Sequence, residues 1–179
     1  MHDSVKLHDA ATARGKAGLG CGCSLQLRGR FDIVCRDASG KVIWQDLIHN
    51  TVVDVGKDAI LDDGVSSQTW YVGLTDGTPT VAAGDTMASH SGWTEVTDYS
   101  ESTRPAWGEG ASSGQSVTNA TAVDFSINAG STTVGGAFIT SDSTKGGSSG
   151  TLLAAGAFTG GDVTLSSGST LSVTYTISA

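Results

Sequence analysis

From residue 25 to residue 36 apolar and polar positions alternate. Leu25, Leu27, Phe31, Ile33 and Cys35 fall on odd numbers; Gln26, Arg28, Arg30, Asp32 and Arg36 fall on even ones. Period two predicts a strand with one face buried and the other in water. Asp37-Ala38-Ser39-Gly40 begins with Asp and ends with Gly, as a tight turn requires. A second strand then runs through Val42, Trp44 and Leu47, so that the pair reads as a β-hairpin.

Residues 50–63 are the best helix candidate, with mixed apolar spacing, and Gly56 limits it to one or two turns. Residues 70–74 are a short apolar run, read as a buried strand. Residues 78–90 read as a loop with a helical turn capped by Asp85. Short strands are expected at 94–99 and 104–107, and further ones at 122–127, 133–140, 152–158, 163–165 and 171–177. Leu171, Val173, Tyr175 and Ile177 alternate with Ser172, Thr174, Thr176 and Ser178, the cleanest pattern in the chain. Gly-rich turns separate these strands. Short, evenly spaced strands predict an all-β antiparallel sandwich or jelly-roll-like domain over residues 25–179. Its expected core includes Phe31, Ile33, Val42, Trp44, Trp70, Val72, Phe125, Ile127, Phe138, Leu153, Phe158, Val173 and Tyr175.

Residues 1–24 follow neither period and end in Gly18-Leu19-Gly20-Cys21-Gly22-Cys23. They read as an extended N-terminal arm, disordered alone, that becomes ordered against a neighbouring subunit. Charge separates the two parts. Residues 1–30 carry five basic and two acidic residues, net +3; residues 31–179 carry five basic and sixteen acidic, net −11. An acidic body makes nucleic acid an unsuitable partner. No segment has the roughly 18 apolar residues of a membrane span, and the first residues lack the apolar core of a secretory signal. The expectation is a protein made in the cytoplasm and used without Sec export, with no membrane partner.

Chemistry is sparse. His2, His8, His49 and His90 are dispersed, so no metal site is expected from them. Cys21-Gly22-Cys23 could hold a soft metal, but zinc needs four ligands and only Cys35 remains; no metal and no cofactor are expected. Asp62, Asp63 and Asp85 lack the spacing of a calcium loop. The most suggestive enzymatic feature is Glu95, Asp98, Glu101 and Glu109 beside Trp93, Tyr99 and Trp107, because paired carboxylates near aromatics suit glycoside hydrolysis. Solvated loop charges beside core aromatics explain the same pattern without catalysis. No catalytic residue is assigned, and no enzymatic activity is expected.

Four segments carry a resemblance: GRFDIVCRDASGKVIWQDLIHNTVVDVGKDAILDD, then YVGLTDGTPTVAAGDTMASHSGWTE, YSESTRPAWGEG and GGAFITSDSTKGGSSGTLLAAGAFTGGDVTLSSGSTLSVTYT. In this order they resemble tailed-bacteriophage virion structural proteins, a group that includes capsid decoration, or cement, proteins. The resemblance covers residues 25–179. It implies a non-enzymatic protein on the capsid exterior that binds the major capsid protein and copies of itself, as a homodimer or homotrimer. The alternative within the same group is a tail or head-fibre component that binds host glycans.

Overall fold

The computed structural model describes residues 27–178. Strands take up 47% of the chain and helix 6%, so the class is all-β, and the expected antiparallel sandwich is what forms. The opening hairpin is β1 (Arg28–Arg36) and β2 (Val42–Val52), followed by α1 (Asp54–Asp63), a single 3-10 turn at Val65–Ser67, and β3 (Tyr71–Asp76). Then come β4 (Thr94–Glu95), β5 (Ser116–Thr118), β6 (Val123–Ser126), β7 (Thr132–Val134), β8 (Gly136–Thr140), β9 (Leu152–Ala157), β10 (Val163–Leu165) and β11 (Thr170–Ser178).

The main ladder runs β4-β3-β8-β9-β2-β1-β11-β5, with β6 also on β11; β7 and β10 form a separate pair. β2 joins the two halves of the ladder. Val42 to Asn50 pair with β1, whereas only Thr51 and Val52 pair with β9. The half built on β1 and β11 contributes Phe31, Ile33, Val173 and Tyr175 to the core; the half built on β3, β8 and β9 contributes Val72, Leu74, Ile139 and Leu153. Trp107 ties the halves together by donating its indole N–H to the Tyr175 carbonyl at 3.1 Å.

The two halves follow different sequence rules. β11 is buried at every second residue, so its alternation is visible in the sequence. β8 is buried throughout, and β9 nearly so. Strands covered on both faces need no polar side chains and read as unbroken apolar or small-residue runs. The outer cover of β8 and β9 is the segment between β3 and β4, whose Met87 and Trp93 pack on Phe138, Leu152 and Ala155.

Several expectations are corrected. Val42 is 40% exposed and Leu47 44%, while Ile48 is fully buried. From Trp44 onward the even positions of β2 face inward, and a register shift between Cys35 and Arg36 sets Val42 opposite the exposed Arg36. Val42 is therefore not a core residue, and Trp44 is half-buried against Phe158, ring centroids 4.8 Å apart. His49 lies within β2. The other expected core residues are buried.

The helix begins after β2, at Asp54, and its ten residues exceed the expected two turns. Gly56 does not weaken it but seats it: a Cβ there would lie 2.4 Å from the Leu153 carbonyl oxygen, so only glycine lets α1 rest on β9. Asp85 caps no helix. Its carboxylate accepts the Ala82 N–H at 3.0 Å and closes a turn. Residues 104–107 form no strand of their own but run beside β3, where Trp107 N–H reaches Trp70 O at 2.7 Å. β5 was not expected, because three half-exposed residues carry no readable period.

Candidate functional site

The carboxylates singled out beside Trp93, Tyr99 and Trp107 have separate fates, and the one on Glu95 organises its surroundings. β4 places Glu95 opposite Thr75 at the end of the sheet. Arg104 approaches from the following extended segment and grips both carboxylate oxygens, Nε to Oε1 at 2.8 Å and Nη2 to Oε2 at 2.7 Å. The Arg104 side chain is fully buried and that of Glu95 is 8% exposed. Such a pair is tolerated away from water only if the remaining donors and acceptors are satisfied.

The loop between β8 and β9 satisfies them. Arg104 Nη1 donates to the Asp142 carbonyl at 2.8 Å and Nη2 to the Gly147 carbonyl at 2.6 Å. Gly146 N–H donates to Glu95 Oε2 at 2.8 Å. The guanidinium also lies 5.3 Å from the centre of the Phe138 ring. Asp142 shapes the loop itself: the backbone N–H of Thr144, 3.0 Å away, holds its carboxyl below the usual carboxylate range, and the Thr144 hydroxyl adds to this.

Lys145 fastens the far side. Its ammonium donates to the carbonyls of Tyr99 at 2.9 Å and Glu101 at 2.7 Å, and sits 4.2 Å from the Tyr99 ring centre. The Glu101 carboxylate accepts the Ser126 N–H at 3.2 Å. Of the four candidate acids, Glu95 and Asp98 border one groove, while the Glu101 carboxylate bonds elsewhere, to Ser126. Glu95 and Glu101 hold backbone in place, while Asp98 and Glu109 lie exposed. Both Glu95 oxygens are already bound to donors, which is the geometry of a structural clamp.

Beside the clamp is a polar groove of about 260 Å³ lined by Asp76, Glu95, Asp98 and the Thr97, Ser131 and Thr132 side chains. A second hollow, of about 440 Å³, lies along β1 and β2 between Asp32, Val34, Gln45 and Leu47. Among the described residues no three His, Cys, Asp or Glu side chains assemble as a metal site, and no helix is long and apolar enough to cross a membrane. His90 stacks on Trp93 with ring centroids 3.7 Å apart, and His49 is exposed. Cys35 is buried, and burial pushes its thiol up. His2, His8, Cys21, Cys23 and the side chains of Asp62 and Asp63 lie outside the described residues, as does the 1–24 arm.

Sequence reasoning missed Arg104, Lys145 and the 141–150 loop. One signal was available. After Lys41 the chain has only three basic residues, Lys57, Arg104 and Lys145. Two of the three are the groups that tie loops to the sandwich, as an isolated cation among many acids can do.

Two phenols report on this packing. Burial, reinforced by the nearby Glu95 charge, pushes Tyr99 well above its ordinary range, and burial does the same to Tyr175. Each ionises more easily in the unfolded chain than in the fold. Stability is therefore full below about pH 10 and falls as pH rises past it. In an alkaline titration, Tyr99 and Tyr175 should give no phenolate absorbance until the fold opens; ionisation of all three tyrosines ahead of unfolding would contradict this.

No protein family, curated protein or solved structure matches the chain.

Proposed function

We propose that the chain is a non-enzymatic structural protein of a tailed-bacteriophage virion, of the capsid decoration type, which attaches to the major capsid shell and stabilises it. The observation that carries this reading is the use made of the charged side chains at the candidate site. Glu95, Arg104, Glu101 and Lys145 cross-link loops to the sandwich. An arrangement of this kind makes a stiff body that resists local opening, as a protein under sustained mechanical load requires. Attachment is assigned to the N-terminal residues. Seven of the ten basic residues lie at or before Lys41, whereas residues 53–179 hold three basic and thirteen acidic ones. A basic segment on an acidic body is drawn to an acidic shell that would repel the body alone. Many copies on one particle turn a modest contact into a strong one.

The groove beside the clamp favours a second reading. Its hydroxyls, with Asp76 and Asp98, could hydrogen-bond a host glycan, which would suit a tail or head-fibre component. Copy number separates the two: hundreds per particle mean shell, a handful mean fibre.

The test mixes full-length protein, or protein lacking residues 1–20, with particles that lack it. Full-length protein should bind and raise the temperature at which the particles release their DNA; the truncated form should do neither. If full-length protein leaves particle stability unchanged, the decoration reading fails. If both forms act equally, attachment lies in the sandwich and not in the arm.

A further inference from the structure

All three large apolar side chains that are exposed among the described residues lie on one strand: Val42 at 40%, Ile43 at 52% and Leu47 at 44%, all on β2. A contiguous apolar patch on an otherwise polar surface marks a contact site. Among the described residues β2 also has a free edge. On one side it pairs with β1 from Val42 to Asn50, but on the other only Thr51 and Val52 pair with β9. Beyond that point the chain after β9 passes under the inner face of β2, where Phe158 packs on Trp44 and Thr159 bonds to the Asp46 carboxylate. Ile43, Gln45 and Leu47 are left facing outward beside an unpaired edge.

We propose that two copies of the chain join by antiparallel pairing of these β2 edges across a two-fold axis at Gln45, making one continuous sheet through both copies. The inference is independent of what the protein attaches to. Backbone direction sets the register. Val53 N–H points to β9, bonding Leu153 O at 3.2 Å, and Leu47 N–H points away from β1, bonding its neighbour's Asp46 Oδ1 at 2.8 Å. From Gln45 onward the odd residues of β2 therefore aim their N–H and C=O groups at the free edge, while Ile43 sits at the register shift between Val42 and Trp44. In an antiparallel pair such residues must sit opposite one another. A two-fold at Gln45 sets Gln45 against Gln45 of the second copy and Ile43 against its Leu47. The two Ile43–Leu47 contacts that flank the central Gln45 pair on the outer face are then apolar.

Charge favours a second copy as the occupant of this edge. Residues 28–52 carry four basic and three acidic residues, net +1, while residues 53–179 are net −10. The acidic residues 53–179 of two copies repel each other, whereas the hairpin carries no net negative charge to oppose approach. Unpaired edges invite such partners, and a symmetric pair covers the β2 edge of both copies at once.

The test uses the full chain with Cys21→Ser and Cys23→Ser as background. Paired residues in this register lie about 5.5 Å apart at Cα, within disulfide range. Under mild oxidation Gln45→Cys should form a covalent dimer. Ile43→Cys should cross-link only when mixed with Leu47→Cys. Thr174→Cys, on an inner strand of the same face, should not cross-link. Sedimentation should show a concentration-dependent dimer for the parent chain, weakened roughly tenfold by Ile43→Lys. Ile43 is exposed in the single copy, so the lysine does not threaten folding. Monomer at every concentration, or cross-linking through Thr174→Cys in place of Gln45→Cys, would overturn the proposal.

Discussion

Replacing Arg104 with Met should destabilise the fold by about 3–5 kcal/mol, the usual cost of removing one partner from a buried ion pair. The loss has more to do with what is left behind than with what is removed. Glu95 would keep its charge in a site where its side chain is 8% exposed, with only the Gly146 N–H still bonded to it. The Asp142 and Gly147 carbonyls, now bonded to the guanidinium, would lose their donor, and an unmade buried hydrogen bond carries its full desolvation cost. Chemical denaturation at fixed protein concentration, with the m-value unchanged, measures the effect. The double variant Arg104→Met with Glu95→Leu should recover much of the loss, because it removes both charges together. A single-variant loss below about 1 kcal/mol would mean that the clamp is an ordinary surface pair, of the kind that contributes little. The same loss should loosen the 141–150 loop first, seen as faster amide exchange there than in β11.

A comparable loss, about 3 kcal/mol, is expected from Gly135→Ala, although it adds a single methyl group; overpacking reaches this size when the surroundings cannot move. A Cβ on Gly135 would lie 2.0 Å from the Gly77 carbonyl carbon and 2.2 Å from Thr78 N, and both are backbone atoms. Gly135 also donates its N–H to Thr75 O at 2.9 Å and accepts the Phe158 N–H at 2.7 Å. These bonds hold it where β3 ends, β9 ends and β7 passes into β8. Side chains could swing aside, but three converging main chains cannot. A thermal melt and a denaturant titration should both show the loss. A stability unchanged within about 0.5 kcal/mol would show that the junction yields, since substitutions away from special sites typically stay within that margin.

That junction also shows where pattern reading stopped. Residues 133–140 read as one strand because Thr133 and Val134 continue smoothly into Ala137, Phe138 and Ile139. In the fold they are two strands serving two sheets, β7 beside β10 and β8 between β3 and β9. Nothing local marks the break except glycine, and the chain has 25 glycines. Only the approach of Gly77 and Phe158, distant in sequence, shows why residue 135 must be one.

The candidate site was legible in the same partial way. Carboxylates near Trp93, Tyr99 and Trp107 are visible in the sequence, and their position near core aromatics was read correctly. Their roles were not. Arg104 meets Glu95 nine residues away, but the carbonyls that complete the pair's surroundings belong to Asp142 and Gly147, 38 and 43 residues further on. Long-range closure of that kind has no periodic signature.

By itself the sequence determined the class of the fold, the β1–β2 hairpin, the well-patterned last strand and most of the core, because strands wetted on one face must alternate. It also determined the charge division between the N-terminal region and the body. The tertiary structure alone decided what alternation does not encode: the register shift that turned Val42 outward, the seating of α1 on β9 through Gly56, and the burial of β8 and β9 on both faces. It also decided whether each acid holds a loop or faces water. Each of these depends on which distant segment arrives at a given surface, and a residue's immediate neighbours in the chain hold no information about that arrival.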